Sequence, residues 1–229
     1  MKDVLKRALD ACNISIDDGK VATLTQFYTM LVEWNEKFNL TRIVSPEDAA
    51  MKHFCDSLMG KDMVSGKVCD VGSGGGFPSI PLAIVRPELD FTLIESNGKK
   101  AGFLEAVAAE LGLDNVRVVK VRAEDAAALR ESFDTVTARA VASLNTLLEY
   151  CLPLVKVGGT FVAYKGASFE TELAESQNAL NVLGGKVDEV VAFSLPDGSG
   201  ERALIRIFKA KNTPPKYPRG QGKPRSKPL

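Results

Sequence analysis

The apolar positions in the first 65 residues recur at helical spacing. From Val21 to Phe38, aliphatic and aromatic residues fall three or four positions apart, which places them on one face of an α-helix. Ser45 then precedes Pro46 and two acidic residues, a pattern typical of a capped helix start. The pattern therefore predicts a helical extension over residues 1–65, packed against the part of the chain that follows.

Beyond residue 65 the pattern changes to short β-branched runs that alternate with helical stretches. Five such runs are typical of a parallel sheet covered by helices on both faces, and two later runs flank a Pro-Asp-Gly loop typical of a hairpin. The seven predicted strands lie at 68–71, 91–94, 116–121, 133–137, 160–164, 187–193 and 202–208. We therefore expect an α/β, Rossmann-like seven-stranded domain over residues 66–210.

Residues 211–229 form a tail rich in proline and basic residues. From Lys209 to Leu229 there are seven basic side chains and no acidic one, whereas the rest of the chain carries 22 basic against 29 acidic side chains. The five prolines of the tail predict that it forms no helix. Its charge favours either contact with a polyanion or a role as a solvated tail that keeps the protein soluble.

The cellular location and the metal content follow from composition. No stretch approaches 18 uninterrupted apolar residues, and the N-terminus is charged where a signal peptide is apolar. We therefore expect a cytoplasmic protein without a membrane partner. Four cysteines stand far apart and the chain has one histidine, so we expect buried free thiols and no metal site.

The sharpest chemical signal is a glycine-rich turn directly after the first predicted strand. It reads Asp70-Val-Gly72-Ser-Gly74-Gly-Gly76-Phe77-Pro78, and Glu95 ends the second predicted strand. Glycines at such a junction let the backbone approach a ligand, and a carboxylate at the second strand end accepts hydrogen bonds from ribose hydroxyls. Phe77 replaces the last glycine of the dinucleotide pattern, and no P-loop lysine follows. This combination predicts S-adenosyl-L-methionine as the cofactor.

Three further residues are candidates for the site. Glu124, after the third strand, can meet an adenine amino group or cap a helix. Arg139, at the end of the fourth strand, can hold a phosphate, stack on a base, donate to a guanine edge, or form an ordinary ion pair. His53 is interpreted as a packed helix residue, with a catalytic role as the alternative.

The residues near the fourth strand limit the acceptor atom. No cysteine follows a proline, as cytosine C5 methylation usually requires, and the Pro-Pro-aromatic motif of exocyclic amine methylation is missing after Arg139. Guanine N7 has a lone pair that is free at neutral pH, so its methylation needs alignment and desolvation rather than a general base. The sequence suits this acceptor or another soft nucleophile.

Together these residues resemble one family, the bacterial 16S rRNA guanine-N7 methyltransferases, also called glucose-inhibited division protein B. The similarity runs over nearly the whole chain. The motifs that carry it are Asn39-Leu-Thr41, His53-Phe-Cys-Asp56-Ser-Leu58, the glycine loop with Phe77-Pro78, Glu95-Ser-Asn-Gly-Lys-Lys100, Arg122-Ala-Glu124, Arg139-Ala-Val-Ala142, Lys165-Gly166 and the basic ending from Lys216 to Leu229.

The resemblance implies a monomeric enzyme that methylates a guanine in the decoding region of 16S rRNA, as free RNA or in a small-subunit precursor, and does not act on DNA. It implies a cofactor site made of Gly72, Gly74, Phe77, Glu95, Ala123, Glu124 and Arg139. It places His53, Asp56 and Ser57 near that site, and it implies RNA contacts by Lys165, Arg219, Lys223 and Arg225. We expect the tail to act separately from the cofactor site.

Two other classes of function remain open at this point. A Rossmann-like methyltransferase for a small metabolite has no need of a basic tail. A non-catalytic RNA-binding protein has no need of the cofactor loop.

Overall fold

One seven-stranded sheet runs through the molecule in the order β3-β2-β1-β4-β5-β7-β6. The computed structural model describes all residues, Met1–Leu229. The strands are β1 (Lys67–Val71), β2 (Asp90–Ile94), β3 (Val116–Val119), β4 (Phe133–Arg139), β5 (Val155–Gly166), β6 (Gly185–Ser194) and β7 (Glu201–Lys209). The first five pair in parallel, and β7 is antiparallel to both β5 and β6. The predicted parallel sheet and terminal hairpin are confirmed.

Ten α-helices surround this sheet. They are α1 (Lys2–Ala11), α2 (Asp18–Asn35), α3 (Pro46–Asp48), α4 (Asp56–Leu58), α5 (Ser79–Val85), α6 (Gly98–Glu110), α7 (Leu144–Cys151), α8 (Phe169–Glu175), α9 (Gln177–Leu183) and α10 (Lys223–Ser226). The side chain of Ser45 caps α3 as predicted, by accepting a hydrogen bond from the N–H of Asp48 at 3.2 Å. None of these helices is long and apolar enough to cross a membrane.

The N-terminal helices share a hydrophobic core with one face of the sheet. Phe27 of α2 packs against Phe77 and against Phe103 of α6, with ring centroids 5.1 and 6.3 Å apart. A π-helical segment, Ala49–Cys55, joins α3 to α4 and is almost entirely buried. His53 and Asp56 belong to this continuous helical run, and its packing places both residues next to the carboxyl end of β4.

The tail is docked and partly helical, so the prediction that it forms no helix is wrong. Pro224 lies in the first turn of α10, where a missing backbone N–H costs nothing because that N–H has no partner within a helix. Thr213 and Tyr217 are buried, and the Arg130 guanidinium donates a 2.8 Å hydrogen bond to the carbonyl of Tyr217. The prolines exclude only a long helix in the tail. Contacts with the rest of the protein fix the conformation of the other tail residues.

Candidate active site

The glycine loop leaves β1 in a conformation that favours glycine. Gly72 has a φ of +75°, and a Cβ built on it would lie 2.8 Å from a methyl carbon of Val141. Gly74 has a φ of +54°, and a Cβ built on it would make an ordinary contact with the carbonyl oxygen of Gly72 at 3.7 Å. The backbone therefore presents a cradle without side chains at the carboxyl end of β1, as predicted for a ligand loop.

Glu95 connects this loop to the end of β2. Its carboxylate accepts hydrogen bonds from the N–H of Gly74 at 2.9 Å and from the N–H of Asn97 at 2.7 Å. A carboxylate offers about four lone-pair positions, so roughly two remain for a ligand. The buried acid thus fixes the loop and still has the acceptors that a pair of ribose hydroxyls requires.

A pocket of about 340 Å³ opens beside the loop. Of the residues predicted for the cofactor site, Gly72, Ala123 and Glu124 line it, and Ile94 and Ser96 on either side of Glu95 also line it. The remaining lining residues are Val71, Val121, Arg122, Val141, Tyr150, Gly222 and Arg225. The size and the mix of apolar and polar groups suit an adenosyl ligand.

Tyr150, Gly222 and Arg225 are members of this lining that the sequence did not indicate for it. Tyr150 belongs to α7, and the other two belong to the tail. The expectation that the tail is separate from the cofactor site is wrong. Docking of the tail onto α7 brings its last residues to the pocket.

Four of the residues predicted for the cofactor site do not line this first pocket, namely Gly74, Phe77, Glu95 and Arg139. The Arg139 guanidinium donates to Asp56 Oδ2 at 2.7 Å and to the carbonyl of Lys52 at 3.2 Å, and its carbon lies 5.2 Å from the centroid of the Phe77 ring. Phe77 in turn stacks on His53, with centroids 4.3 Å apart and planes inclined by 14°. Both side chains therefore pack in a cluster with His53 and Asp56 and do not line the pocket beside the glycine loop.

That cluster forms the floor of a second pocket of about 300 Å³. Four cationic side chains line it, namely Lys52, Arg139, Lys165 and Arg202, together with His53, Asp56, Glu172, Ile43, Ala140, Tyr164 and Gly166. Arg139 and Ala140 line the second pocket and Val141 lines the first, so the two pockets adjoin at the end of β4. A donor molecule and an acceptor molecule can therefore lie on either side of one strand end.

Comparison with known proteins decides the family. A family model described as GidB, rRNA small subunit methyltransferase G, matches residues 20–204. The chain belongs to the GidB family. Ribosomal RNA small subunit methyltransferase G of Lactobacillus johnsonii is 45% identical over 236 residues, covering 99% of both chains. The protein of the same name from Brevibacillus brevis is 48% identical over 236 residues, covering 100% of this chain and 99% of its own.

Solved structures agree with the fold of this GidB family member. A SAM-dependent methyltransferase from Aquifex aeolicus has a TM-score of 0.55 at 19% identity, covering 74% of this chain and 97% of its own. Cofactor-bound Rv0187 from MTB has a TM-score of 0.58 at 20% identity, covering 86% and 92%. The predicted Rossmann-like methyltransferase fold and the predicted family are both confirmed.

His53 of the GidB chain is buried in a fixed hydrogen-bonding state. Its Nδ1 lies 3.2 Å from a nitrogen of Arg139, which can only donate, so Nδ1 accepts and the proton is on Nε2. Nε2 lies 2.9 Å from Thr41 Oγ1, which accepts that proton. Burial and then the Arg139 charge lower the pKa of His53 to about 3. The motifs around Thr41 and His53 thus meet in one hydrogen-bonded row that ends at Arg139.

We expect the imidazole of His53 to show no titration between pH 8 and pH 5 in the folded protein. Because the chain has one histidine, its ring resonances in a heteronuclear NMR titration are unambiguous. In urea the same ring should titrate near 6.5. Since folding disfavours protonation of this ring, its contribution to the free energy of unfolding is present above pH 6.5 and falls as the pH drops toward 3. A folded-state midpoint near 6.5 would contradict the assignment.

Two of the predicted RNA contacts form ion pairs inside the protein. Arg219 forms a bidentate ion pair with the fully buried Glu149, at 2.6 Å between Nη2 and Oε2 and 2.8 Å between Nε and Oε1. Lys165 Nζ lies 2.6 Å from Glu172 and donates to the carbonyl of Ala142 at 2.9 Å. Lys223 and Arg225 are exposed. Arg225 also donates a 2.9 Å hydrogen bond to the carbonyl of Val141, so Lys223 alone among the four predicted RNA contacts has a cation without a partner in the protein.

Proposed function

We propose that this GidB family member transfers the methyl group of S-adenosyl-L-methionine to N7 of a guanine in the decoding region of small-subunit rRNA. The observation that carries the proposal is the pair of adjoining pockets at the end of β4. The first lies beside the glycine loop that the buried Glu95 carboxylate holds, and the second has four cationic side chains. The relatives' name, small subunit methyltransferase G, supports the substrate.

The residues of the first pocket fit the cofactor. When bound, S-adenosyl-L-methionine supplies a methyl group on a sulfonium, which a lone pair can displace. Glu95 would hold the ribose hydroxyls with its remaining lone pairs, and Glu124 would accept from the adenine amino group. Gly72 and Gly74 leave the backbone of the loop open to the ligand, because neither has a side chain. Both residues adopt a positive φ, which favours glycine, and a Cβ at Gly72 would collide with Val141.

The second pocket offers cations and no free base. Asp56 is paired with Arg139 at 2.7 Å and lies 3.8 Å from Arg202. His53 Nδ1 already accepts from Arg139, and Glu172 is paired with Lys165 at 2.6 Å. The thiols are poor nucleophiles as well, since burial raises the pKa of Cys55, Cys69 and Cys151. A guanine N7 carries no proton, so its attack on a methyl group needs only alignment in a pocket sheltered from water. This supports N7 over an exocyclic amine, which has a proton to lose.

A polyanionic acceptor agrees with the charge around the pockets. Lys52 and Arg202 remain partly exposed at the second pocket, and Lys223, Arg225 and Lys227 lie exposed on the tail close to the first pocket. Cationic side chains on one side of a site attract a phosphate backbone and release its counterions. This supports RNA rather than a small metabolite as the acceptor.

The test is methylation with labelled cofactor and mapping of the product. We expect small-subunit rRNA or small-subunit particles to accept the label, and the modified base to be N7-methylguanine in the decoding region. The Gly74→Val variant serves as the control that lacks a working cofactor loop. Label at an amino group of the base, or label only in a panel of small metabolites, would refute the proposal.

A further inference from the structure

We propose that the C-terminal tail is a wall of the cofactor pocket, with Arg225 as a positioning residue for the cofactor. Gly222 and Arg225 line the same pocket as Gly72 and Glu124. Arg225 also donates a 2.9 Å hydrogen bond to the carbonyl of Val141, which lines the pocket from the end of β4. The inference rests on the cofactor site proposed above and adds a segment that begins more than 60 residues after the last strand end of that site.

The tail is held in this place by a buried anchor. The Glu149 carboxylate has no exposed surface, and it accepts from the backbone N–H of Arg219 at 2.8 Å as well as from its guanidinium. Three charge-assisted hydrogen bonds to one buried carboxylate fix both the side chain and the backbone of the tail. Replacement of Arg219 would leave the Glu149 carboxylate buried without this partner, so the anchor depends on that residue.

A second contact fixes the tail close to the pocket. Thr146 Oγ1 donates to the carbonyl of Pro224 at 2.9 Å, next to Arg225. Thr146, Glu149 and Tyr150 all belong to α7, and Tyr150 itself lines the pocket. One helix therefore fixes the tail and supplies part of the same wall. Arg225 then presents to this cavity a planar cation with several N–H donors, a group suited to nucleobases and carboxylates.

The affinity of the cofactor should depend on Arg225 and not on the charge of the tail as such. Lys227 is the matched control, because it is a basic, exposed residue two positions away that does not line the pocket. We expect Arg225→Gln to raise the Kd of S-adenosylhomocysteine at least fivefold in calorimetry of the full chain, and Lys227→Gln to change it less than twofold. Equal affinity of wild type and Arg225→Gln, or equal weakening by both variants, would overturn the inference.

A measurement on the wild-type chain tests the same wall without a substitution. If docking of the tail strengthens cofactor binding, the ligand must stabilise the docked tail by the same factor. Saturating S-adenosylhomocysteine should therefore slow amide hydrogen exchange at residues 219–227 at least threefold, with little change at β6 on the sheet edge. Unchanged exchange in the tail would overturn the inference while the cofactor site stands. A wild-type chain that binds no S-adenosylhomocysteine at all would refute the proposed function itself.

Discussion

Gly72→Val is expected to weaken binding of S-adenosylhomocysteine at least about 100-fold, equivalent to about 2.7 kcal/mol. Two effects act together. A β-branched side chain is strained at a φ of +75°, and its Cβ would lie 2.8 Å from Val141, which lines the same pocket. Either the valine enters the cavity or Val141 moves into it. Calorimetry on the purified variant measures the loss.

Gly112→Val is the matched control for this experiment. Gly112 has a φ of +62°, similar to that of Gly72, but a Cβ there meets nothing within 4 Å. Its valine variant should carry a similar backbone strain and melt at a lower temperature, with the cofactor Kd within twofold of wild type. If Gly72→Val binds within tenfold of wild type while it is folded, the loop does not form the cofactor cradle.

Features that depend on nearby positions in the chain were predictable from the sequence. The alternation of β-branched runs and helical stretches located all seven strands within a few residues, with β5 extending further at its start than expected. The glycine loop and Glu95 were found because the positions of a ligand loop and its acid are fixed by two adjacent parallel strands. Ser45 as the cap of α3 follows from the same local logic.

Side-chain direction at the end of β4 was not predictable in this way. A strand end places Arg139 at the mouth of the site but does not say which pocket receives its side chain. The next residue, Ala140, has a φ of +56°, so the backbone turns there and Arg139 and Val141 line different pockets. The partners Asp56 and His53 lie more than 80 residues earlier, and no local pattern encodes that contact.

The position of the tail was also not predictable from local sequence patterns. Its composition indicated a positive charge available to a polyanion, but a count of charges cannot show that Arg219 has a buried partner 70 residues away. The same holds for Phe77, which packs on His53 and Phe27 and does not line the pocket beside the glycine loop. Long-range packing decided the positions of Arg219 and Phe77, and residue type alone left them open.

Arg139→Ala is expected to lower methyl transfer to RNA at least about 100-fold and to change the Kd of S-adenosylhomocysteine less than about threefold. The reason is its location, since every group that its guanidinium contacts belongs to the second pocket or its floor. Loss of two or more charge-assisted bonds at an acceptor amounts to roughly 3 kcal/mol. Single-turnover assays and calorimetry measure the two quantities separately.

Stability has to be separated from function in this variant. Asp56 is buried, and without its 2.7 Å partner its carboxylate keeps only the more distant Arg202 cation, 3.8 Å away, which costs up to about 3 kcal/mol of unfolding free energy. The double variant Arg139→Ala with Asp56→Asn removes that charge and should recover most of the melting temperature without recovering turnover. Arg139→Lys keeps the charge but loses the planar fork, so it should recover only a small part of the activity.

The outcomes of these variants distinguish three roles for Arg139. If the double variant regains turnover within tenfold of wild type, Arg139 serves only to neutralise Asp56. If the cofactor Kd rises in parallel with the loss of turnover, Arg139 belongs to the cofactor site, as the family resemblance implies. A loss confined to turnover, with cofactor affinity intact, is expected if Arg139 holds the acceptor, because its side chain lies on the opposite side of the β4 end from the cofactor cradle.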